Sequence, residues 1–248
     1  MFFDKQLLKD FQYWSNELNL SQAVEKLLME LGVKDIKVVG SLPKSGPVLI
    51  VSNHTGVFDS LILLSRVKRS DFHWIALATY QIFGGKVAER LIPVYRKRQL
   101  NHKIYEYPLC LKVNGKLPKN YSRQEIMSKN RQSISRAVEL VNQGKMVSIF
   151  PTGGAGKKLA GSGWKPGVGW LIKQINNPKT KIVLAYVQGT KMSDLVAYVP
   201  LLRRLFFRSR PITISFSRSL LLKRAVNLKA DAKTITCSLE KLYNQTYL

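Results

Sequence analysis

Apolar positions recur along this chain at two alternating periods. Runs of strand length stand at Ile36–Val39, 48–51, 71–78, 91–95, 145–150, 181–187 and 212–216, most of them rich in Val and Ile. Between them the apolar residues fall at helical spacing. Ile126, Ile134, Val138 and Val141 line one side of a helix over Arg123–Asn142, with Gln143-Gly144 as its stop. Further helices are predicted from Asp59 onward, over 80–89, from Gly167 through Ile172, and over 231–247. Ahead of the first strand, residues 3–31 carry Phe3, Leu7, Leu8, Phe11, Trp14 and Leu18 on one stripe. A break near Asn19-Leu20-Ser21 follows, with Ser21 as an N-cap, and then Val24, Leu27, Leu28 and Leu31 up to Gly32. Strands alternating with helices predict an α/β fold: a mixed, largely parallel sheet flanked by helices, with an N-terminal amphipathic helix pair. The pair sets residues 1–35 apart from a main domain over 36–248.

Charge changes this picture. The chain has 40 Lys and Arg against 15 Asp and Glu, a formal net charge of +25 in 248 residues. A field of that size points to a polyanionic partner, whether nucleic acid, anionic lipid headgroups or phosphorylated substrate. With 45% hydrophobic residues the chain is no disordered basic tail. Cys110 and Cys237 match no disulfide framework or metal spacing, and three scattered histidines make a metal site an unfavoured expectation. No apolar run approaches the ~20 residues that span a bilayer. The first residues lack the pattern of a signal peptide. A membrane, if met, is met at its surface. The aromatic set Phe2, Phe3, Phe11, Tyr13 and Trp14 is read either as core packing or as an interfacial helix pair dipping into headgroups.

Candidate chemistry sits where the run 48–51 breaks, at Ser52-Asn53-His54-Thr55-Gly56-Val57-Phe58-Asp59. The end of a strand in an open α/β sheet is where ligands bind. With His54 in the loop and Asp59 in the first helical turn, the two can touch. The carboxylate then fixes one imidazole nitrogen and leaves the other free to take a proton. The competing reading is a plain strand-to-helix turn with Asp59 near the N-cap. The string Asn53-His54-x4-Asp59 after an apolar strand resembles the His-x4-Asp signature of the glycerolipid acyltransferases, the family of glycerol-3-phosphate and 1-acylglycerol-3-phosphate acyltransferases.

Two later strings resemble further motifs of that family. Residues 91–96, Leu-Ile-Pro-Val-Tyr-Arg, resemble the short strand that ends in a phosphate-reading Arg, which implies that role for Arg96. A solvated basic turn is the bland alternative, since Lys97 and Arg98 follow. Phe150-Pro151-Thr152-Gly153-Gly154 resembles the family's Phe-Pro-Glu-Gly-Thr-Arg, with Thr152 in place of the Glu and Gly154-Ala155 in place of Thr-Arg. A P-loop is excluded here, because Pro151 and Lys158 occupy places that need Gly and Ser or Thr. Lys157 and Lys158 are candidates for the missing positive charge, and the glycine amides for an anion-binding nest. Trp164-Lys165-Pro166-Gly167 resembles the family's Phe-Lys-x-Gly segment, and 188–190 falls near the fourth motif.

The resemblance, over about residues 40–190, implies an acyltransferase domain that moves a fatty acyl group from acyl-CoA or acyl-carrier protein to a lysophospholipid. The acceptor implied is 1-acylglycerol-3-phosphate, with His54 as general base and Asp59 orienting it. It implies Arg96, Thr152, Gly153, Gly154, Lys157 and Lys158 on the acceptor side. No metal or cofactor is expected, only the thioester as co-substrate. Residues 1–35 would then dock on an anionic membrane surface, placing a peripheral protein on its cytoplasmic side, with no nucleic acid expected. The alternatives are a different lysolipid or amine acceptor, or a non-enzymatic basic protein that binds lipid or nucleic acid.

Overall fold

The computed structural model describes residues 5–95, 121–154, 163–199 and 210–248. In chain order the elements are α1 (Lys5–Glu17), α2 (Leu20–Glu30), β1 (Ile36–Val39), β2 (Val48–Ser52), α3 (Asp59–Arg66), β3 (Phe72–Leu77), α4 (Gly85–Arg90) and β4 (Leu91–Val94). There follow α5 (Arg123–Asn142), β5 (Met146–Ile149), α6 (Gly167–Gln174), β6 (Lys181–Gln188), β7 (Ile212–Phe216), β8 (Leu220–Leu221), α7 (Leu222–Ala225) and α8 (Ala232–Tyr247). Single 3-10 turns precede α4 and follow β6.

Among the described residues the strands form one sheet in the order β1-β7-β6-β2-β5-β3-β4, with β8 added to the start of β6. β6, β2, β5, β3 and β4 run parallel, while β7 lies antiparallel to β6 and carries β1 parallel to itself. The mixed, largely parallel sheet flanked by helices is therefore present, and so is the N-terminal helix pair. β2 is central and buried along its whole length, as a near-continuous apolar run demands. Its alternate residues face two cores. Val48 and Ile50 pack with α1, α2 and α3; Leu49 and Val51 pack with α5, α6 and α8. The result is a three-layer sandwich.

Close contacts fix the helices. The Gly169 Cα lies against the Ala232 carbonyl and the Thr236 hydroxyl, where a methyl group would collide, so α6 and α8 cross closely. At the edge where the parallel strands begin, Arg69 forks onto Asp71 at 2.8 and 2.5 Å. It also donates to the Gly46 and Gly144 carbonyls at 2.8 and 3.2 Å, so one guanidinium gathers the entries to β2, β3 and β5.

Several expectations need revision. Asn19 rather than Ser21 caps α2, its side chain accepting from the Gln22 amide at 3.0 Å. The stretch 80–89 is not one helix, because Gly84 takes φ +62° and separates the 3-10 turn from α4. The stripe on α1 is core: Leu7, Leu8 and Phe11 are buried, and Trp14 packs against them under the Lys26 ammonium, 4.4 Å from its ring. Of the N-terminal aromatic set, Tyr13 is 63% exposed, while Phe2 and Phe3 lie outside the described residues. The Asn114-Gly115 turn signal within 109–117, which suggests a hairpin, and nearly all of the basic and apolar run 201–210 also lie outside the described residues. No helix among the described residues is long and apolar enough to cross a membrane.

Candidate active site

The parallel strands end along one edge, and the loops leaving β2, β5 and β6 meet there. β2 delivers Asn53, whose side-chain amide is buried and acts as a missing stretch of ladder. Its Nδ2 donates to the Val187 carbonyl and its Oδ1 accepts from the Val187 amide, both at 2.7 Å. That clip ties the end of β2 to β6 and sets where the next residue emerges. His54 follows, with its side chain 20% exposed.

The chain then doubles back so that Asp59, the first residue of α3, lies beneath the imidazole. Asp59 Oδ2 stands 3.7 Å from His54 Nδ1, and the carboxylate is wholly buried. A buried charge needs donors. Oδ2 accepts from the Gly56 amide at 2.9 Å and from the Thr55 hydroxyl at 3.5 Å, while Oδ1 accepts from the Thr190 hydroxyl. The start of a helix also favours a negative charge. Asp59 thus stands at the start of α3 and faces His54 through Oδ2, the same oxygen that takes the Gly56 amide.

β5 supplies the wall. The Phe150 ring lies against the imidazole, with centroids 4.9 Å apart and planes inclined by 38°. Its carbonyl accepts from the Gly153 amide at 3.0 Å, which closes a tight turn with Gly153 at φ +69°. The N–H of Gly153 is thus engaged within the turn. Thr152 is buried, and its hydroxyl donates to the Gly154 carbonyl at 3.4 Å. The turn is held from the far side by Lys165, whose amide donates to the Pro151 carbonyl at 2.9 Å and whose side-chain stem runs beside Gly153. At the end of β4, Asn130 brackets the backbone of Tyr95, accepting from its amide at 2.8 Å and donating to its carbonyl at 3.0 Å. Arg96, Lys157 and Lys158 lie outside the described residues.

Beneath the loops, the Tyr243 hydroxyl donates to the Ala185 carbonyl at 2.8 Å, and burial pushes its phenol far above the usual range. His73, in β3, is buried and directs Nδ1 to the Asp71 carbonyl at 3.1 Å, away from this chemistry. Thr190, Asn53 and Gly56 are the site residues that sequence reasoning left without a role. Only the position of 188–190 at the end of an apolar run hinted at one of them.

An imidazole at the sheet edge with a buried carboxylate behind it can act as a general base. Among the described residues no cluster of side chains suits a metal ion. A family model described as acyltransferase matches residues 35–188, which include His54, Asp59 and the turn at 150–154. No curated protein matches the sequence. Among solved structures, the fold is similar to that of the 1-acyl-sn-glycerophosphate (LPA) acyltransferase PlsC from Thermotoga maritima. The TM-score is 0.50 at 12% identity, over 96% of this chain and 78% of that one. With more than half of its length matched by the family model, the chain belongs to the acyltransferase family and is an acyltransferase enzyme.

Proposed function

We propose that this acyltransferase moves a fatty acyl group from acyl-CoA or acyl-carrier protein to the free hydroxyl of a lysophospholipid, with 1-acylglycerol-3-phosphate as the acceptor. One observation carries the reading: an imidazole at the strand edge turns Nδ1 toward a buried carboxylate at 3.7 Å, which leaves Nε2 for the substrate. The acceptor oxygen attacks the thioester carbonyl carbon while Nε2 takes its proton. As the imidazolium forms, its Nδ1–H and the Asp59 carboxylate attract each other, and the 3.7 Å gap shortens to a hydrogen bond. The tetrahedral oxyanion collapses, the carbon–sulfur bond breaks, and His54 returns the proton to the departing thiolate. No covalent enzyme intermediate is required.

On the acceptor side, Arg96 takes the phosphate as a planar fork, with Lys157, Lys158 and Lys165 adding positive charge around the 150–154 turn. Thr152 is buried, so it serves by shaping that turn through its bond to Gly154 rather than by touching the phosphate. The enzyme works as a peripheral protein on the cytoplasmic face of an anionic membrane.

The test is transfer of radiolabelled acyl groups from each thioester to a panel of lysolipids and amines. His54→Ala should cut turnover at least ~10²-fold with the fold intact. Arg96→Ala should raise the KM of lysophosphatidic acid strongly and leave the acyl-donor KM nearly unchanged. Near-normal turnover by His54→Ala removes the assigned base. A phosphate-free lysolipid or an amine acylated as fast as lysophosphatidic acid, with Arg96→Ala indifferent to both, means a different acceptor, to which Thr152 in place of a carboxylate would be the clue.

A further inference from the structure

We infer that Thr190 is a positioning residue for the His54–Asp59 pair, holding the buried carboxylate in the one orientation that presents Oδ2 to the imidazole. The inference rests on the acyl-transfer reading above only for its kinetic test. Asp59 and Thr190 are 131 residues apart in the chain, and Thr190 lies just beyond the matched stretch 35–188. Its hydroxyl donates to Asp59 Oδ1, leaving Oδ2 to the Gly56 amide, the Thr55 hydroxyl and His54. A carboxylate free to rotate about its Cβ–Cγ bond exchanges its oxygens; one with distinct donors on each oxygen does not.

The surroundings over-determine the position of Thr190. Gly189 bends at φ +95° against the Pro211 carbonyl, which leaves no room for a side chain and throws the next residue toward α3. Gly56 offers its bare Cα to Thr190, where a methyl group would strike the hydroxyl. Beyond Thr190, the Lys191 amide donates to Asp194 Oδ2 at 2.6 Å, and the Arg210 guanidinium donates to the other oxygen of that buried carboxylate at 2.6 Å. The Lys191 carbonyl in turn accepts from Val57 at 3.5 Å, stitching the loop after β6 to the loop after β2. Among the described residues, the titratable and charged groups nearest the bond are His54 from the β2 loop, Tyr243 from α8, and Lys191, Asp194 and Arg210 from the segments flanking Thr190.

The test compares Thr190→Val, which keeps the shape and removes the donor, with Thr190→Ser, which keeps the donor. NMR titration of His54 serves as readout, with only three histidines in the chain and the signal assigned through His54→Gln. In Thr190→Val the carboxylate loses a donor to its charged form and swings from Nδ1. Both effects loosen the contact between the carboxylate and the imidazole. The pH response of the His54 signals should therefore approach that of Asp59→Asn, kcat should drop about tenfold or more, and both KM values should change little. Thr190→Ser should restore the titration and the rate. A His54 titration in Thr190→Val that superimposes on the wild type, or a Ser variant that behaves like the Val variant, overturns the inference. If the wild type acylates none of the acceptors, the proposed function fails, and the His54 titrations alone still decide for or against Thr190.

Discussion

At the scale of single residues, the site's geometry is a matter of how buried polar groups find partners. Asp59 needs donors from two loops because no cation reaches it among the described residues, and Asn53 replaces ladder bonds that the end of β2 lacks. The pair His54–Asp59 was legible in the sequence because it is local: five residues across a strand-helix junction bring it together whatever the rest of the chain does. Thr190 was not, because a contact between residues 59 and 190 depends on β6 lying beside β2, which no spacing announces. The buried histidine in β3 offers a separate test. Burial, followed by the nearby cations Arg90, Lys145 and Arg136, holds the His73 pKa below its ordinary value of 6.5, against the pull of the Asp71 carbonyl. The unfolded chain then binds a proton that the folded one refuses. The contribution of His73 is present above about pH 6.5 and is lost as the pH falls from there toward its folded value. Urea denaturation between pH 8 and 5 should show stability declining through this window, with a smaller decline in His73→Gln.

At the scale of elements, hydrophobic period located the main strands and helices, and together with the Gln143-Gly144 stop it bounded α5 to the residue. What it could not supply was the partner of an apolar stripe. The stripe on α1 reads identically whether it faces lipid or protein; the structure seats Leu7, Leu8 and Phe11 in the core beside α2 and α3. β8 and α7 escaped notice because two-residue and four-residue elements carry no period. Placement of α1 has a measurable consequence. Phe11→Ala should lower stability by about 3–5 kcal/mol, as expected for emptying a buried aromatic site. Tyr13→Ala, one turn-face away and exposed, should stay within about 0.5 kcal/mol of wild type. Equal effects in chemical denaturation would mean that α1 does not dock as described. Removal of the whole helix is therefore a poor probe of membrane binding, because it also opens the core.

At the scale of the whole molecule, the dominant quantity is the charge of +25. Strands, helices and a sheet edge carrying His54 do not require it, but the proposed function does, since a field of this sign draws the protein to an anionic bilayer. Vesicle flotation should show binding to membranes rich in anionic lipid that weakens between ~0.05 and 0.5 M salt as the Debye length contracts. Binding to purely zwitterionic vesicles of equal strength at both salt concentrations would contradict this electrostatic docking. Overall sheet order was the least legible feature. Alternating strands and helices imply a parallel sheet, but they do not say that the first strand lies at one edge beside the seventh.

That placement has a consequence in time. Among the described strands β1 is made first, and there it pairs with β7 alone, Ile36 beside Ile212. At a synthesis rate of 5–20 residues per second, roughly 10–35 s pass before its partner exists. Through that interval a nascent chain carries Val38 and Val39, half-exposed even in the finished protein, on an unpaired edge at the ribosome. The lysines at 34 and 37, flanking and interrupting the run, keep that waiting strand from pairing with its copies on neighbouring ribosomes.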